Sequence, residues 1–173
     1  MKELFFFDGT NVSNSQLKEA AAISENFFKT NLDKTQMKSD CKLFLKISKL
    51  FPEFIEVIFD GKSVVGSSIF LPCTKKLEKL FLSKKITEAQ LASRILKKVN
   101  YKNFECIYWA ESSIIKKYQH HELFMVTTEN VLRKVHLLKK KKLPVFFWAW
   151  SKEGKIAGKI VFDELEVKER FIE

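Results

Sequence analysis

From Ile114 to Phe124 the chain reads IIKKYQHHELF, which puts two lysines, a glutamine, two histidines and a glutamate into eleven residues. The stretch lies where an apolar run suited to a strand, FECIYWA, gives way to a helix-patterned run, ELFMVTTENVLRKVHLL. A strand that turns into a helix presents free N–H groups and the positive end of the helix dipole, so the chemistry expected there is anion binding, above all of phosphate. Phosphate loops usually contain glycine so that the backbone can close on the anion. Here Glu122 competes for the same N–H groups, and a carboxylate beside a pyrophosphate is repelled by about 1 kcal/mol or more per charge pair. His120 and His121, if protonated, act the other way, as do Lys116 and Lys117 just upstream. As a metal pair the two histidines are poorly placed, because adjacent residues rarely point at one ion and neither His136 nor the cysteines are spaced to help. Cys73 and Cys106 sit in or at the end of apolar strands, where structural thiols are the common case.

The elements that must position this junction follow from the periodicity. ELFFF reads as a first strand ended by the turn DGTN. Ser15 is the expected N-cap of a helix with Leu17, Ala20, Ala21, Ser24, Phe27 and Phe28 on one face. A second helix is expected over Gln36 to Leu50, with Lys38, Lys42, Lys46 and Lys49 along one side, either a solvated face or a docking surface for something acidic. EFIEVIF and KSVVGSSIFLP, joined by Asp60-Gly61, predict a hairpin whose second strand ends at Pro72. Two helices follow, split near Lys84 and Lys85, with Thr87 capping the second. LPVFFWAW is apolar at both parities and predicts a strand buried on both faces. SKEGKIAGKIVFDELEV closes as a helix with Ser151 at its N-cap. A hairpin requires antiparallel pairing and the unit from Phe104 to Trp150 a parallel crossover, so the expected fold is mixed α+β, or α/β, with helices packed on a mixed sheet.

Composition bounds the rest. One domain over residues 1–173 is expected, with 46% hydrophobic residues and seventeen Phe to fill a core. Thirty-one Lys and Arg against 21 Asp and Glu give a net charge of +10, which points to an anionic partner. Only three of the basic residues, Arg94, Arg133 and Arg170, are arginines, so the attraction is diffuse rather than bidentate. Three scattered cysteines, no apolar stretch of membrane-spanning length and no leader-like start predict a soluble cytoplasmic protein.

Several segments resemble the GNAT N-acetyltransferase superfamily, in particular a small bacterial GNAT-like group. They are DKTQM, FIEVIFDGKSVVGSSIFLPCTKKLEKLFLSKKITEAQL, YKNFECIYWAESSI and FFWAWSKEG. The likeness runs from about Asp33 to Leu165 and rests on a Q-M after the first helix, a hairpin ending in Leu-Pro, an I-[ST]-E-x-x-L helix start and a W-x-x-S-x-E-G segment. It implies a mostly antiparallel sheet with one splayed parallel strand pair, Phe104–Ser112 and Val145–Trp150, and helices on both faces. It implies acetyl-coenzyme A in that gap, with backbone groups of Ser113, Ile114 and Ile115 pairing with the pantetheine arm. The pyrophosphate would rest on Gln119-His120-His121-Glu122-Leu123-Phe124. Gln119 fits the family's [QR]-x-x-G-x-[GA] pattern, whereas Glu122 and Phe124 stand where it has small residues. Acetyl transfer to an amine needs a base and an acid for the departing thiolate. Glu111, expected at a strand end beside the gap, is the candidate base, and Ser151 the candidate donor. The acceptor amine is not legible. The rival expectation is an inactive GNAT-fold binding module whose lysines, including the run Lys139–Lys142, hold an acidic partner. Nucleic acid is the less favoured partner, because no nucleic-acid motif and few interleaved aromatics accompany the lysines.

Overall fold

The computed structural model describes residues 4–28, 33–118, 121–140, 143–148, 155–156, 158–159 and 171–172, with the backbone alone for 121–125 and 171–172. The architecture is mixed α and β. Six strands lie side by side in chain order: β1 (Leu4–Asp8), β2 (Ile55–Asp60), β3 (Ser63–Cys73), β4 (Cys106–Ile114), β5 (Val145–Trp148) and β6 (Phe171–Ile172). Pairing is antiparallel from β1 to β4 and parallel from β4 to β6. The α-helices among the described residues are α1 (Asn14–Phe28), α2 (Cys41–Leu50), α3 (Lys75–Leu82), α4 (Glu88–Lys98) and α5 (His121–Lys139).

The hairpin forms one residue later than the sequence suggests. Asp60 pairs with Ser63 as the last rung, and the loop is Gly61-Lys62. Gly61 takes φ +59, a conformation that glycine adopts without steric penalty at the first loop position. β3 ends not at Pro72 but one residue later, at Cys73. β2 begins only at Ile55, opposite Ile69, so Pro72 lies where β3 is paired with β4 alone and its missing N–H is better tolerated.

Two helix starts also differ. Ser13, not Ser15, caps α1: its Oγ accepts from the Gln16 N–H at 3.3 Å while Gln16 Oε1 accepts from the Ser13 N–H at 2.8 Å, a reciprocal capping box. α2 starts at Cys41 rather than near Gln36, because Asp40 accepts from the Leu43 N–H and residues 37–40 stay outside the helix. Thr87 caps α4 as expected, again with a reciprocal partner, Gln90. The turn between α3 and α4 falls at Ser83–Ile86, with Lys84 at φ 57. The expected closing helix falls largely outside the described residues, and of its span 155–156 and 158–159 are helical.

The main core fills the face of the sheet beneath α1, α2, α3 and α4. Phe44, Ile47, Leu91, Ile95, Tyr108 and Phe146 are buried there. α5 covers the opposite face through Val131, Leu132 and Val135. The two helical layers enclose the sheet, so β4 near its centre has side chains buried in both.

Gly66 on β3 is fixed by close approach rather than by dihedral. A Cβ there would come within 2.5 Å of the Ser113 carbonyl oxygen and 3.0 Å of Ile114 Cα, and backbone atoms of a central strand have nowhere to go. Gly66→Ala is expected to destabilise the chain by roughly 2 kcal/mol or more, a fall of several degrees in Tm for a domain of this size. Differential scanning calorimetry reads this directly, and an unchanged Tm would contradict the packing described here.

Candidate functional site

Among the described residues, which on this stretch end at Trp148, β4 pairs with β5 at Ile107↔Val145, Tyr108↔Phe146 and Trp109↔Phe147. It continues to Ile114 against β3. Just past these pairs β4 carries a bulge: Trp109 faces Phe70 and Glu111 faces Ile69, so Ala110 is the extra residue. An inserted residue bends the strand and re-aims the side chains beyond it.

Ladder parity decides which backbone groups look into the space beyond Phe147. The Ile115 N–H donates to the Val65 carbonyl at 2.9 Å. Alternation along an antiparallel pair then turns the amides of Ser113 and Glu111 toward β3 as well, and those of Ser112 and Ile114 toward the β5 side. Of the three residues the resemblance singles out, Ser113 and Ile115 thus turn their amides to β3, and Ile114, like Ser112, turns its amide to the β5 side. Parity depends on the register of β3 and on the bulge, neither of which the sequence displays.

Beyond β4 the chain makes a 3-10 turn, Lys116–Tyr118, tied back to the hairpin by a Tyr118 hydroxyl that donates to Asp60. Lys116 and Lys117 are exposed there. α5 begins at His121, so His121, Glu122, Leu123 and Phe124 form its first turn. Gln119, His120 and Ser151 lie outside the described residues.

Glu111 is not the exposed strand-end acid the sequence suggests. It lies within β4, is 5% exposed, and both carboxylate oxygens are taken. Ser24 Oγ on α1 donates to Oε1 at 2.6 Å, and Ser39 Oγ in the segment before α2 donates to Oε2. Burial raises its pKa to about 7, against the two serine hydrogen bonds that pull it down, and nearby Glu88 adds like-charge repulsion. Glu88 is itself buried, accepting from the Tyr108 hydroxyl at 2.5 Å and from the Met37 N–H at 2.8 Å. Burial raises its pKa too, although both hydrogen bonds favour the charged form. Two carboxylates from α4 and β4 thus hold residues 37–39 against the sheet.

The other face carries a chain of hydroxyls. The Trp109 indole N–H donates to Ser112 Oγ at 2.9 Å, Ser112 Oγ lies 2.7 Å from Ser68 Oγ, and Ser68 Oγ donates to Thr127 Oγ1 of α5 at 3.2 Å. The departing half of β4 is therefore fixed from above and below. Ser24, Ser39, Ser68 and Thr127 are the residues that sequence reasoning missed. Only Ser24 carried a signal, as a polar residue on an otherwise apolar helix face.

Among the described residues no group of three or more His, Cys, Asp or Glu side chains could hold a metal ion, and no helix is long and apolar enough to cross a membrane. Neither a known protein-family model nor a curated protein sequence matches the chain.

A carboxyl whose pKa rises from 4.5 unfolded to about 7 folded holds more protons folded than unfolded between those values. Its contribution to stability is complete below pH 4.5 and is lost as pH rises through 7. Glu56, buried on the α5 side with Lys134 Nζ 3.6 Å away, behaves alike, its pKa raised to about 7 chiefly by burial. Urea unfolding at pH 5 and pH 8 is expected to show lower stability at pH 8. Glu111→Gln keeps the serine contacts without the charge, and should recover roughly 3 kcal/mol or somewhat less of that loss. Equal wild-type stability at the two pH values would argue against these buried acids.

Proposed function

We propose that this protein is a GNAT-like N-acyltransferase, transferring an acetyl group from acetyl-coenzyme A to an amine. The observation that carries the reading is the parallel β4–β5 pair with a bulge at Ala110 of β4, with a turn and the N-terminus of α5 beyond the end of that strand. A pantetheine arm is a chain of amides that pairs naturally with strand backbone, and Ser112 and Ile114 turn theirs toward the gap. The pyrophosphate would lie at the start of α5, near the exposed charges of Lys116 and Lys117 and the helix end.

In this reading the amine nitrogen attacks the thioester carbonyl carbon, the C–S bond breaks and the thiolate leaves, while the amine gives up a proton. A group with a pKa near 7 is well matched to accepting it. Glu111 has that affinity, but Ser24 and Ser39 occupy its oxygens, so the proton would reach it through a serine hydroxyl and not by direct contact with the amine. The resemblance of residues 33–165 to the GNAT group supports the same assignment from the sequence side.

The test is thermal unfolding with and without excess acetyl-coenzyme A, on the wild type and on Glu122→Gly. Ligand at a hundred times its dissociation constant adds about 2.7 kcal/mol, equivalent to roughly 5 to 10 °C for a chain of this length. A shift in the wild type supports the proposal and licenses a screen of amine acceptors. A shift in Glu122→Gly alone would mean that the cleft persists without its cosubstrate, and no shift in either would remove the basis of the reading.

A further inference from the structure

The expected lysine stripe is reorganised by the fold. Lys38 is not on α2 at all, since that helix begins at Cys41, and Lys49 points elsewhere. Lys38, Lys42 and Lys46 instead join Lys34 and Lys97 around a groove of about 570 Å³ between residues 33–46 and α4. All five are exposed, and none of them has a carboxylate partner among the described residues.

The two acidic residues on the rim are already committed to the chain itself. Asp33 accepts from the Thr35 N–H and hydroxyl at 2.8 and 2.7 Å. Asp40 caps α2 by accepting from the Leu43 N–H at 3.0 Å. The groove therefore presents its lysines outward while its carboxylates serve local turns, and positive potential is concentrated where the surface is concave.

The floor is aliphatic: Met37, Leu43, Ala92 and Leu96 line it, and among the described residues the lining includes neither an aromatic side chain nor an arginine. That distinguishes between polyanions. Single-stranded nucleic acid gains sequence-tolerant affinity by stacking bases on aromatic side chains, which this groove lacks, and it has no arginine to read a base edge or clamp a phosphate. Aliphatic floor and lysine rim match a peptide that alternates apolar side chains with carboxylates.

We propose that the groove between residues 33–46 and α4 is a docking site for an acidic, amphipathic segment of a partner protein. The site is separate from the β4–β5 gap and does not depend on acyl transfer. Apolar side chains of the partner bury against Met37, Leu43 and Leu96, and its Asp or Glu residues meet the lysine rim. The volume holds several side chains, within the usual range for specific concave sites.

The experiment is fluorescence anisotropy at low salt with a labelled peptide of repeating Glu-Glu-Leu. A Gln-Gln-Leu peptide and an oligothymidylate of matched charge are measured beside it. The acidic peptide is expected to bind, to weaken as salt is raised, and to lose about tenfold or more in affinity in Lys42→Glu/Lys46→Glu. Lys76→Glu/Lys79→Glu on α3 makes the same change in net charge outside the groove and should bind nearly as wild type. Ser93→Trp, at an exposed lining position of α4, fills the groove with charge unchanged and should also abolish binding. Circular dichroism melts confirm that these surface variants remain folded. The proposal is overturned by absence of acidic-peptide binding, by equal losses in the two charge-reversal variants, or by undiminished binding in Ser93→Trp. Tighter binding of the oligothymidylate with the same lysine dependence would overturn it in favour of nucleic acid.

Discussion

The arrangement on the four-helix face depends on carboxylates buried under a segment with no secondary structure of its own. Residues 37–39 run between α1 and α2 without regular secondary structure. What fixes them is Glu88 on the Met37 N–H and Glu111 on the Ser39 hydroxyl. Hydrogen bonds to an acid in a low-dielectric interior are strong, but an ionised acid there is poorly solvated. Raised pKa values for both acids are the expected compromise. Tyr108, fully buried and hydrogen-bonded to Glu88, has its own ionisation suppressed by burial and by that neighbouring acid, so it acts as a fixed donor.

The α5 face is held differently. Lys134 spans Asp8 at 3.2 Å and Glu56 at 3.6 Å, and the Trp109–Ser112–Ser68–Thr127 chain links sheet and helix through neutral groups. Neutral hydrogen bonds tolerate changes of pH, while the ion pair at Glu56 does not. Lys134 remains about a quarter exposed, so its attraction is diluted by solvent and does not overcome the desolvation of a carboxylate whose side chain is almost wholly enclosed. The sheet thus has buried carboxylates with raised pKa values on both faces.

Local chemistry was legible in the sequence and long-range chemistry was not. Thr87 with Gln90, the hairpin around Gly61 and the mixed sheet all rest on residues within a few positions of one another or on simple alternation. Errors of one to five residues at Ser13, Asp40 and Pro72 arose where a short polar side chain captured a backbone N–H, or where a neighbouring strand ended early. Glu111 was singled out for its position near a strand end, but its partners Ser24 and Ser39 lie 87 and 72 residues away. No periodicity connects such positions. The ladder parity that turns the amides of Ser112 and Ser113 to opposite neighbours is equally invisible, because one bulged residue changes which amides face which strand.

The segment before α2 ties these observations together. Its Met37 side chain helps floor the lysine groove while the same residue's N–H is bound by Glu88, and Ser39 two positions on is bound by Glu111. A ligand in the groove that holds this segment in place favours whichever protonation states of Glu88 and Glu111 hold it best. Linkage makes the relation reciprocal, so ionisation of those acids must alter affinity in the groove by the same factor.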